Sequence, residues 1–257
     1  MSALGGLRGV VRGSLRAFSS AAAERRAGKL YICGTGESNK LGLGDTRDRE
    51  VPVPIEALLE EDIVHVSIDK YHSMAVSASG DVFAWGLEAS GQLGLGSHRT
   101  KAPTPTKVEA LSGIGVTAIS CGMYHTLALT DAGEVWSVGF GGSFLGGAGG
   151  LGHGDRKQLA TPEKIAAFGE DGVRAASVSA GGYHSVVLDT DGGVWSWGRG
   201  EWGRLGHNDS SDLLTPTRLE ACDEMGVGTA LAGEAHSACL GRDGSVHTWG
   251  RNEHWQV

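Results

Sequence analysis

The sequence has few prolines and cysteines, and it lacks a long apolar run. Its 257 residues include 6 Pro and 4 Cys, and no two cysteines form a CxxC pair. A disulfide framework or a zinc ribbon is therefore not expected, and the cysteines are predicted to be reduced packing residues. Without about 18 consecutive apolar residues, no segment is predicted to cross a membrane as a helix.

Glycine, by contrast, is abundant, with 43 residues and no strict Gly-X-Y period. Many glycines in a chain that is 40% apolar indicate a packed core with numerous turns, which is typical of all-β proteins. The formal net charge of −8 argues against non-specific nucleic-acid binding, so no direct nucleic-acid partner is predicted.

The N-terminal segment differs in composition from the remainder. Residues 1–23 contain no acidic side chain, and Arg8, Arg12 and Arg16 recur at every fourth position. On a helix this spacing places a basic face opposite an apolar one, as in organellar transit peptides. We therefore predict a mitochondrial transit peptide over residues 1–28 and a matrix location, with the plastid as the alternative compartment and a disordered tail as the alternative structure. The remaining residues carry 17 basic and 29 acidic side chains, a net charge of −12.

A short segment with strand character, ending in Trp-Gly or a close variant, recurs five times. Successive segments are about 52 residues apart, except for a spacing of about 59 in the third repeat. A histidine also recurs once per repeat, and its spacing increases to about 59 residues at the same place. One insertion in the loop from Phe140 to Gly150 explains both longer spacings. The glycines that end these segments are Gly34, Gly86, Gly139, Gly198 and Gly250. The recurrent histidines are His72, His125, His184 and His236.

Each repeat continues with Leu-Gly-x-Gly or a variant, then a proline, and then a segment that contains the histidine. The small residues permit tight turns. The proline indicates an edge strand, because proline has no backbone N–H to donate to a neighbouring strand. The repeats are assigned to residues 29–80, 81–133, 134–192 and 193–244, with a partial fifth over residues 245–257.

These motifs together closely resemble the regulator of chromosome condensation repeat, from Lys29 to Gly250. The resemblance implies an all-β fold, a β-propeller with one four-stranded blade per repeat and usually seven blades in the ring. Here we count four complete repeats plus the first strand of a fifth. We therefore expect an incomplete ring, arising from a shortened isoform, an incomplete gene model or an open arc that a partner completes.

The glycine-rich and histidine patterns do not predict a catalytic, cofactor or metal site. Gly147 to Gly152 satisfies the dinucleotide fingerprint G-x-G-x-x-G, but the following residues lack the helical period that this fingerprint requires. The recurrent histidines lie on separate repeats, too far apart to share a metal ion. We expect each to hydrogen-bond the adjoining turn of its own blade.

The predicted function is a noncatalytic protein-interaction scaffold in mitochondria, as a component or assembly factor of a larger complex. The loops that follow the Trp-Gly segments would line its partner-binding surface. The candidate partner-binding residues are Glu37, Asn39, Glu88, Gln92, Phe144, Arg199, Glu201, Trp202 and Arg204. The family resemblance implies an alternative, guanine-nucleotide exchange on a small GTPase. A substrate-recognition arm of a ubiquitin ligase would need an appended domain.

Overall fold

The chain folds into antiparallel β-sheets that follow one another along the sequence. The computed structural model describes residues 28–96, 100–143, 147–169 and 172–257. The predicted transit segment, apart from Gly28, and the candidate residue Phe144 lie outside these ranges. The series begins with a two-stranded sheet, continues with three four-stranded sheets, and ends with a three-stranded sheet.

The strands of each sheet are consecutive in the chain apart from one inserted hairpin. The two-stranded sheet consists of β1 (Tyr31–Gly34) and β2 (Arg49–Pro54). The first four-stranded sheet consists of β3 (Ile63–Ile68), β4 (His72–Ser77), β5 (Val82–Leu87) and β6 (Lys101–Lys107). The second consists of β7 (Val116–Cys121), β8 (His125–Thr130), β9 (Val135–Gly139) and β12 (Leu159–Lys164).

The third four-stranded sheet and the last sheet repeat this order. The third consists of β13 (Ala175–Ala180), β14 (His184–Asp189), β15 (Val194–Gly198) and β16 (Leu213–Arg218). The last consists of β17 (Val227–Ala232), β18 (His236–Gly241) and β19 (Val246–Gly250). The inserted hairpin consists of β10 (Gly142–Ser143) and β11 (Gly147–Ala148). The described 3-10 turns are Glu37–Asn39, Glu56–Leu58, Glu109–Leu111, Glu201–Gly203 and Glu220–Cys222.

The predicted all-β class and the recurrent strands are confirmed, but the boundaries of the sheets differ from those of the repeats. The Trp-bearing strand β5 pairs with β4, which precedes it, so that Trp85 lies opposite Ser73. A 3-10 turn, Glu109–Leu111, instead separates the proline-bearing strand from the strand that follows. Each four-stranded sheet therefore takes two strands from each of two successive repeats, so the sheets are offset by two strands from the repeats as counted from the Trp-Gly motif.

The Leu-Gly-x-Gly segments pack between successive sheets. Their leucines are buried. The glycine that follows lies against the tryptophan of the next sheet in three of the four segments, and against Pro162 and Val108 at Gly94. A Cβ on Gly42, for example, would lie 2.8 Å from Cδ1 of Trp85, and the φ of this glycine is +70°. The lack of space beside Trp85 and the left-handed backbone thus both require glycine here. The buried leucines are Leu41, Leu93, Leu151 and Leu205.

None of the helical segments in the described part of the chain is long and apolar enough to cross a lipid bilayer.

Candidate functional site

Two kinds of connection meet along one edge of the sheets. The first is the turn between the first and second strands of a sheet, which we call the inner turn. The second is the loop that follows the Trp-bearing strand. A backbone hydrogen bond joins them, as where Leu87 N donates to Tyr71 O over 3.0 Å. We call the surface formed by these turns and loops the loop face. Equivalent bonds join Phe140 to Tyr124, Arg199 to Tyr183 and Arg251 to Ala235.

Three half-buried tyrosines on successive inner turns form a row that we call the tyrosine ladder. The ring centroids of Tyr71 and Tyr124 lie 5.4 Å apart, and those of Tyr124 and Tyr183 lie 5.2 Å apart. Hydrogen bonds with the hydroxyls of Tyr71 and Tyr183 raise the pKa of Tyr124, and partial burial raises it further. The row therefore presents contiguous aromatic surface from three sheets.

Cations of the chain itself lie at both ends of the tyrosine ladder. Lys70 Nζ lies 5.3 Å from the ring centroid of Tyr71, and Arg199 Cζ lies 5.7 Å from that of Tyr183. Both contacts fall within the range of cation–π interactions. These tyrosines are not among the residues predicted from the sequence, although a tyrosine directly precedes the recurrent histidine in three of the four repeats and could have indicated them.

The loop after β15 carries a tryptophan in an unusual conformation. Trp202 is 41% exposed, and its φ of +63° lies in the left-handed region. For a bulky residue this conformation costs about 1–2 kcal/mol. The guanidinium carbons of Arg204 and Arg251 lie 4.9 and 4.5 Å from its ring centroid. The indole is thus flanked by two cations and remains accessible from solvent.

Four of the candidate residues have buried side chains that stabilise their own loops. The carboxylate of Glu88 accepts the amide N–H of Leu93 over 2.6 Å and that of Leu95 over 3.2 Å. Arg204 Nε donates to the carbonyl of Glu201 over 3.0 Å. The pKa of Arg204 is lowered to about 10, chiefly by burial and then by the charge of Arg199, while the charge of Glu201 acts in the opposite direction. These buried candidates are Asn39, Glu88, Gln92 and Arg204.

The other described candidates reach the surface. Glu37 and Trp202 are exposed, while Arg199 and Glu201 are half-buried and form an ion pair with 2.7 Å between Nη2 and Oε2. The structure thus brings Arg199, Glu201 and Trp202 together on one loop, whereas Glu37 lies on the loop of the first sheet. This loop and the tyrosine ladder are both accessible on the loop face.

Beneath the loop face, the recurrent histidines link neighbouring sheets. His72 Nε2 lies 2.8 Å from Thr126 Oγ1, and this hydroxyl donates to the carbonyl of Gln92 over 2.9 Å. Because the hydroxyl proton is used by that carbonyl, the histidine must donate from Nε2. The expectation that each histidine bonds the turn of its own blade is therefore wrong, because this bond crosses to the next sheet.

The same relay recurs at the next two junctions between sheets. His125 Nε2 lies 2.9 Å from Ser185 Oγ, and His184 Nε2 lies 2.9 Å from Ser237 Oγ. Burial lowers the pKa of His72 to about 3, that of His125 to about 4 and that of His184 to about 3. All three imidazoles are consequently neutral at physiological pH.

The glycine-rich segment forms a hairpin instead of opening a helix. Gly147 and Ala148 pair with Ser143 and Gly142, as expected of a lengthened loop. The carbonyl of Gly150 accepts a hydrogen bond from Trp197 Nε1 over 2.8 Å. Within the residues that the structure describes, no group of three or more His, Cys, Asp or Glu side chains is arranged to hold a metal ion.

Comparisons with known proteins give a consistent result. The sequence profile of the RCC1-like domain matches residues 7–257. The ultraviolet-B receptor UVR8 of Arabidopsis thaliana is 33% identical over 229 residues, which cover 89% of this chain and 50% of that protein. Protein RCC2 of Mus musculus is 33% identical over 268 residues, which cover 95% of this chain and 50% of that protein.

A solved structure extends the comparison. The crystal structure of human WBSCR16 matches with a TM-score of 0.73 and 26% sequence identity, over 84% of this chain and 54% of that chain. The present chain thus spans about half the length of these similar proteins.

Proposed function

Since this chain belongs to the RCC1-like domain family, we propose that it is a noncatalytic scaffold whose loop face binds a partner protein. Membership of the family is consistent with a protein-interaction role, but folds built from repeats host many activities. The proposal therefore depends on the chemistry of the loop face.

Trp202 is the observation that carries the proposal. The equivalent positions of the first two loops hold Ser38 and Ser90, so the fold itself does not require a bulky side chain there. The backbone of Ser38 is left-handed as well, with a φ of +61°, so this conformation belongs to the loop and not to the tryptophan. Tryptophan and arginine are enriched among the residues that dominate binding energy in protein interfaces. An accessible indole between Arg204 and Arg251 has the composition of such an anchor.

The partner is proposed to be a mitochondrial complex. This location rests on the basic, acid-free residues 1–23 and the acidic composition of the remainder. A fusion of residues 1–28 to a fluorescent reporter is expected to enter mitochondria. A diffuse cytosolic signal would remove this part of the proposal, and a plastid signal would reassign the compartment.

The scaffold proposal is tested by replacing Trp202 with the residue of the equivalent loops. Trp202→Ser removes the indole and is compatible with the same loop conformation. We expect affinity purification of the tagged full chain to recover its main partner at least about ten-fold less efficiently after this substitution. Val246→Ser is the matched control because Val246 is 67% exposed at the far end of the last sheet. Equal recovery by both variants would contradict the proposal.

Guanine-nucleotide exchange is the rival activity, and it has a direct readout. The scaffold proposal predicts that the purified chain does not accelerate the release of a fluorescent GDP analogue from mitochondrial small GTPases. Accelerated release of the GDP analogue would contradict the scaffold proposal and identify the chain as an exchange factor.

A further inference from the structure

The proline-bearing strands β6, β12 and β16 share a bulge. Each lies at the edge of its sheet, so one side of the strand has no neighbouring strand. The pairing of β6 with β5 shifts between Ala102 and Thr106, so that three residues of β6 lie opposite one residue of β5. Such a bulge leaves residues outside the regular strand pairing. Thr104 is the central residue of the bulge in β6.

The same bulge centres on Thr161 in β12 and on Thr215 in β16. We call Thr104, Thr161 and Thr215 the bulge threonines, and all three are exposed. The residue before each accepts an amide N–H from the second glycine of a Leu-Gly-x-Gly segment, as where Gly44 N donates to Pro103 O over 3.0 Å. The backbone of the bulge is thus fixed to the preceding sheet, while the threonine side chain reaches solvent.

The fold does not require threonine at the centre of the bulge. Val51 occupies the equivalent position in β2 and is 65% exposed. None of the described hydrogen bonds uses the hydroxyl of a bulge threonine. By contrast, the hydroxyls of Thr106 and Thr217 donate to the carbonyls of Thr104 and Thr215 over 3.2 Å. Within the described residues, the bulge threonines therefore carry exposed hydroxyls that the fold does not use.

A proline and then a basic residue follow every bulge threonine. The segments read Thr-Pro-Thr-Lys from Thr104, Thr-Pro-Glu-Lys from Thr161 and Thr-Pro-Thr-Arg from Thr215. The proline favours an extended backbone at the threonine before it. The basic residues form surface ion pairs, as where Lys107 Nζ lies 2.9 Å from Asp81 Oδ1. Because such pairs contribute little free energy, an enzyme with an acidic pocket can compete for the cation.

Thr104 also shares a groove with two arginines of the preceding sheet. The groove has a volume of about 470 Å³, and its lining includes Thr104, Arg47 and Arg49. Both guanidiniums pair with Asp45, but the side chain of Arg47 is 80% exposed and is free to turn toward a new anion. A phosphate on the threonine carries about −1.5 to −2 charges and favours such arginines.

The equivalent groove at the next junction between sheets has different charges. It has a volume of about 430 Å³, and Thr161 lines it together with Lys107 and Glu109. A phosphate on Thr161 would face one cation and one carboxylate in this groove. The two grooves therefore differ in their capacity to hold a phosphate.

We propose that the bulge threonines are phosphorylated by a protein kinase that recognises proline directly after the acceptor and a basic residue two positions further, and that Arg47 and Arg49 hold the phosphate on Thr104. In this reaction the threonine Oγ1 attacks the γ-phosphorus of Mg-ATP and forms a new P–O bond. The bond from that phosphorus to the bridging oxygen breaks, ADP leaves with the electron pair, and a base of the kinase takes the hydroxyl proton. The inference goes beyond the proposed function and does not depend on a partner at the loop face.

The test incubates the purified full chain with Mg-ATP and a recombinant cyclin-dependent kinase of this specificity, and locates phosphate by mass spectrometry. We expect phosphate at the bulge threonines and none at Thr106 or Thr217, which lie in the same strands. Pro105→Ala should slow phosphorylation of Thr104 at least about ten-fold and leave the other two bulge threonines as internal references. No phosphate at the bulge threonines, equal phosphate at Thr106 and Thr217, or an unchanged rate in Pro105→Ala would each overturn the inference.

Thermal unfolding tests the phosphate-binding role of the arginines. The variant Thr161→Val, Thr215→Val retains Thr104 alone, and valine is the residue that β2 has at this position. We expect phosphorylation to raise its unfolding midpoint by about 2–4 °C, and Arg47→Gln to abolish this increase. The matched variant Thr104→Val, Thr215→Val, which retains Thr161, should show no increase. An unchanged midpoint in the first variant, or equal increases in both, would contradict the assignment of Arg47 and Arg49.

Discussion

At the scale of the residue, Thr126 shows how one hydroxyl joins two sheets. It is 1% exposed, accepts a hydrogen bond from His72 Nε2 and donates to the carbonyl of Gln92. A buried polar group without a partner costs free energy, so each member of this relay depends on the hydroxyl. The serines at the equivalent positions, Ser185 and Ser237, make the same pair of contacts.

Thr126→Val is therefore expected to lower the free energy of unfolding by about 2 kcal/mol. The substitution preserves shape but leaves His72 Nε2–H and the Gln92 carbonyl unpaired. Thr126→Ser, which keeps the hydroxyl, should cost about 1 kcal/mol or less for its lost methyl group. Urea unfolding followed by tryptophan fluorescence measures both variants. Equal losses would show that the relay does not contribute to stability.

The sequence could predict that these histidines are structural, but not what they contact. The histidine and the hydroxyl residue are adjacent in every repeat, whereas the hydrogen bond joins residues 54 positions apart in the case of His72 and Thr126. The same limit applies to the partner-binding candidates. Glu88 is polar and lies in a loop, which suggested exposure, but its carboxylate accepts hydrogen bonds from its own loop and is buried.

At the scale of the element, the Leu-Gly-x-Gly segment contains two glycines with different roles. Gly152 has a φ of +85°, and a Cβ there would lie 2.8 Å from Nε1 of Trp197. Gly154 has a φ of +84°, but a Cβ added there would have 3.6 Å to its nearest neighbour, Cγ2 of Thr215. The first glycine is required by conformation and space, and the second by conformation alone.

Alanine substitutions should separate these two requirements. Gly154→Ala is expected to cost about 1–2 kcal/mol for the left-handed backbone. Gly152→Ala should cost roughly 1–3 kcal/mol more, because it also overpacks the contact with Trp197. Thermal unfolding compares the midpoints of the two variants. Midpoints that coincide would refute the packing role assigned to Gly152.

The repeat pattern gave the strands and the turns, but not their grouping into sheets. The Trp-Gly motif is the strongest landmark in the sequence, so a repeat counted from it begins in the middle of a sheet. The grouping is decided by hydrogen bonds, such as the pairing of β5 with the preceding β4, and by the 3-10 turn that separates β6 from β7. The strand pairing has no distinctive residue signature, but the 3-10 turns recur as Glu-Ala-Leu or Glu-Ala-Cys and could have marked the sheet boundaries.

At the scale of the whole molecule, neutral histidines occupy successive junctions between sheets. Their folded-state pKa values of about 3 to 4 lie below the ordinary value of 6.5. Between these values the unfolded chain binds more protons than the folded chain. The contribution of these neutral histidines to the free energy of unfolding is therefore fully present above pH 6.5 and decreases as the pH falls toward 4.

Acidification from pH 7 to pH 5 is expected to lower the free energy of unfolding by roughly 2 kcal/mol per buried imidazole. His184→Gln, which can still donate to Ser237, should be less stable at pH 7 but show a shallower pH dependence. Urea unfolding at a series of pH values measures both effects. A pH dependence as steep as that of the unsubstituted protein would exclude His184 as a source of acid sensitivity.

Site-specific photo-crosslinking can show whether a partner protein binds the loop face. A benzophenone amino acid is placed at Trp202, on the loop face, or at the exposed Asp191, in the hairpin turn at the other end of the sheet. We expect cross-links to one partner from position 202 and none from position 191. Cross-links to that partner from position 191 alone, or equally from both, would contradict this expectation.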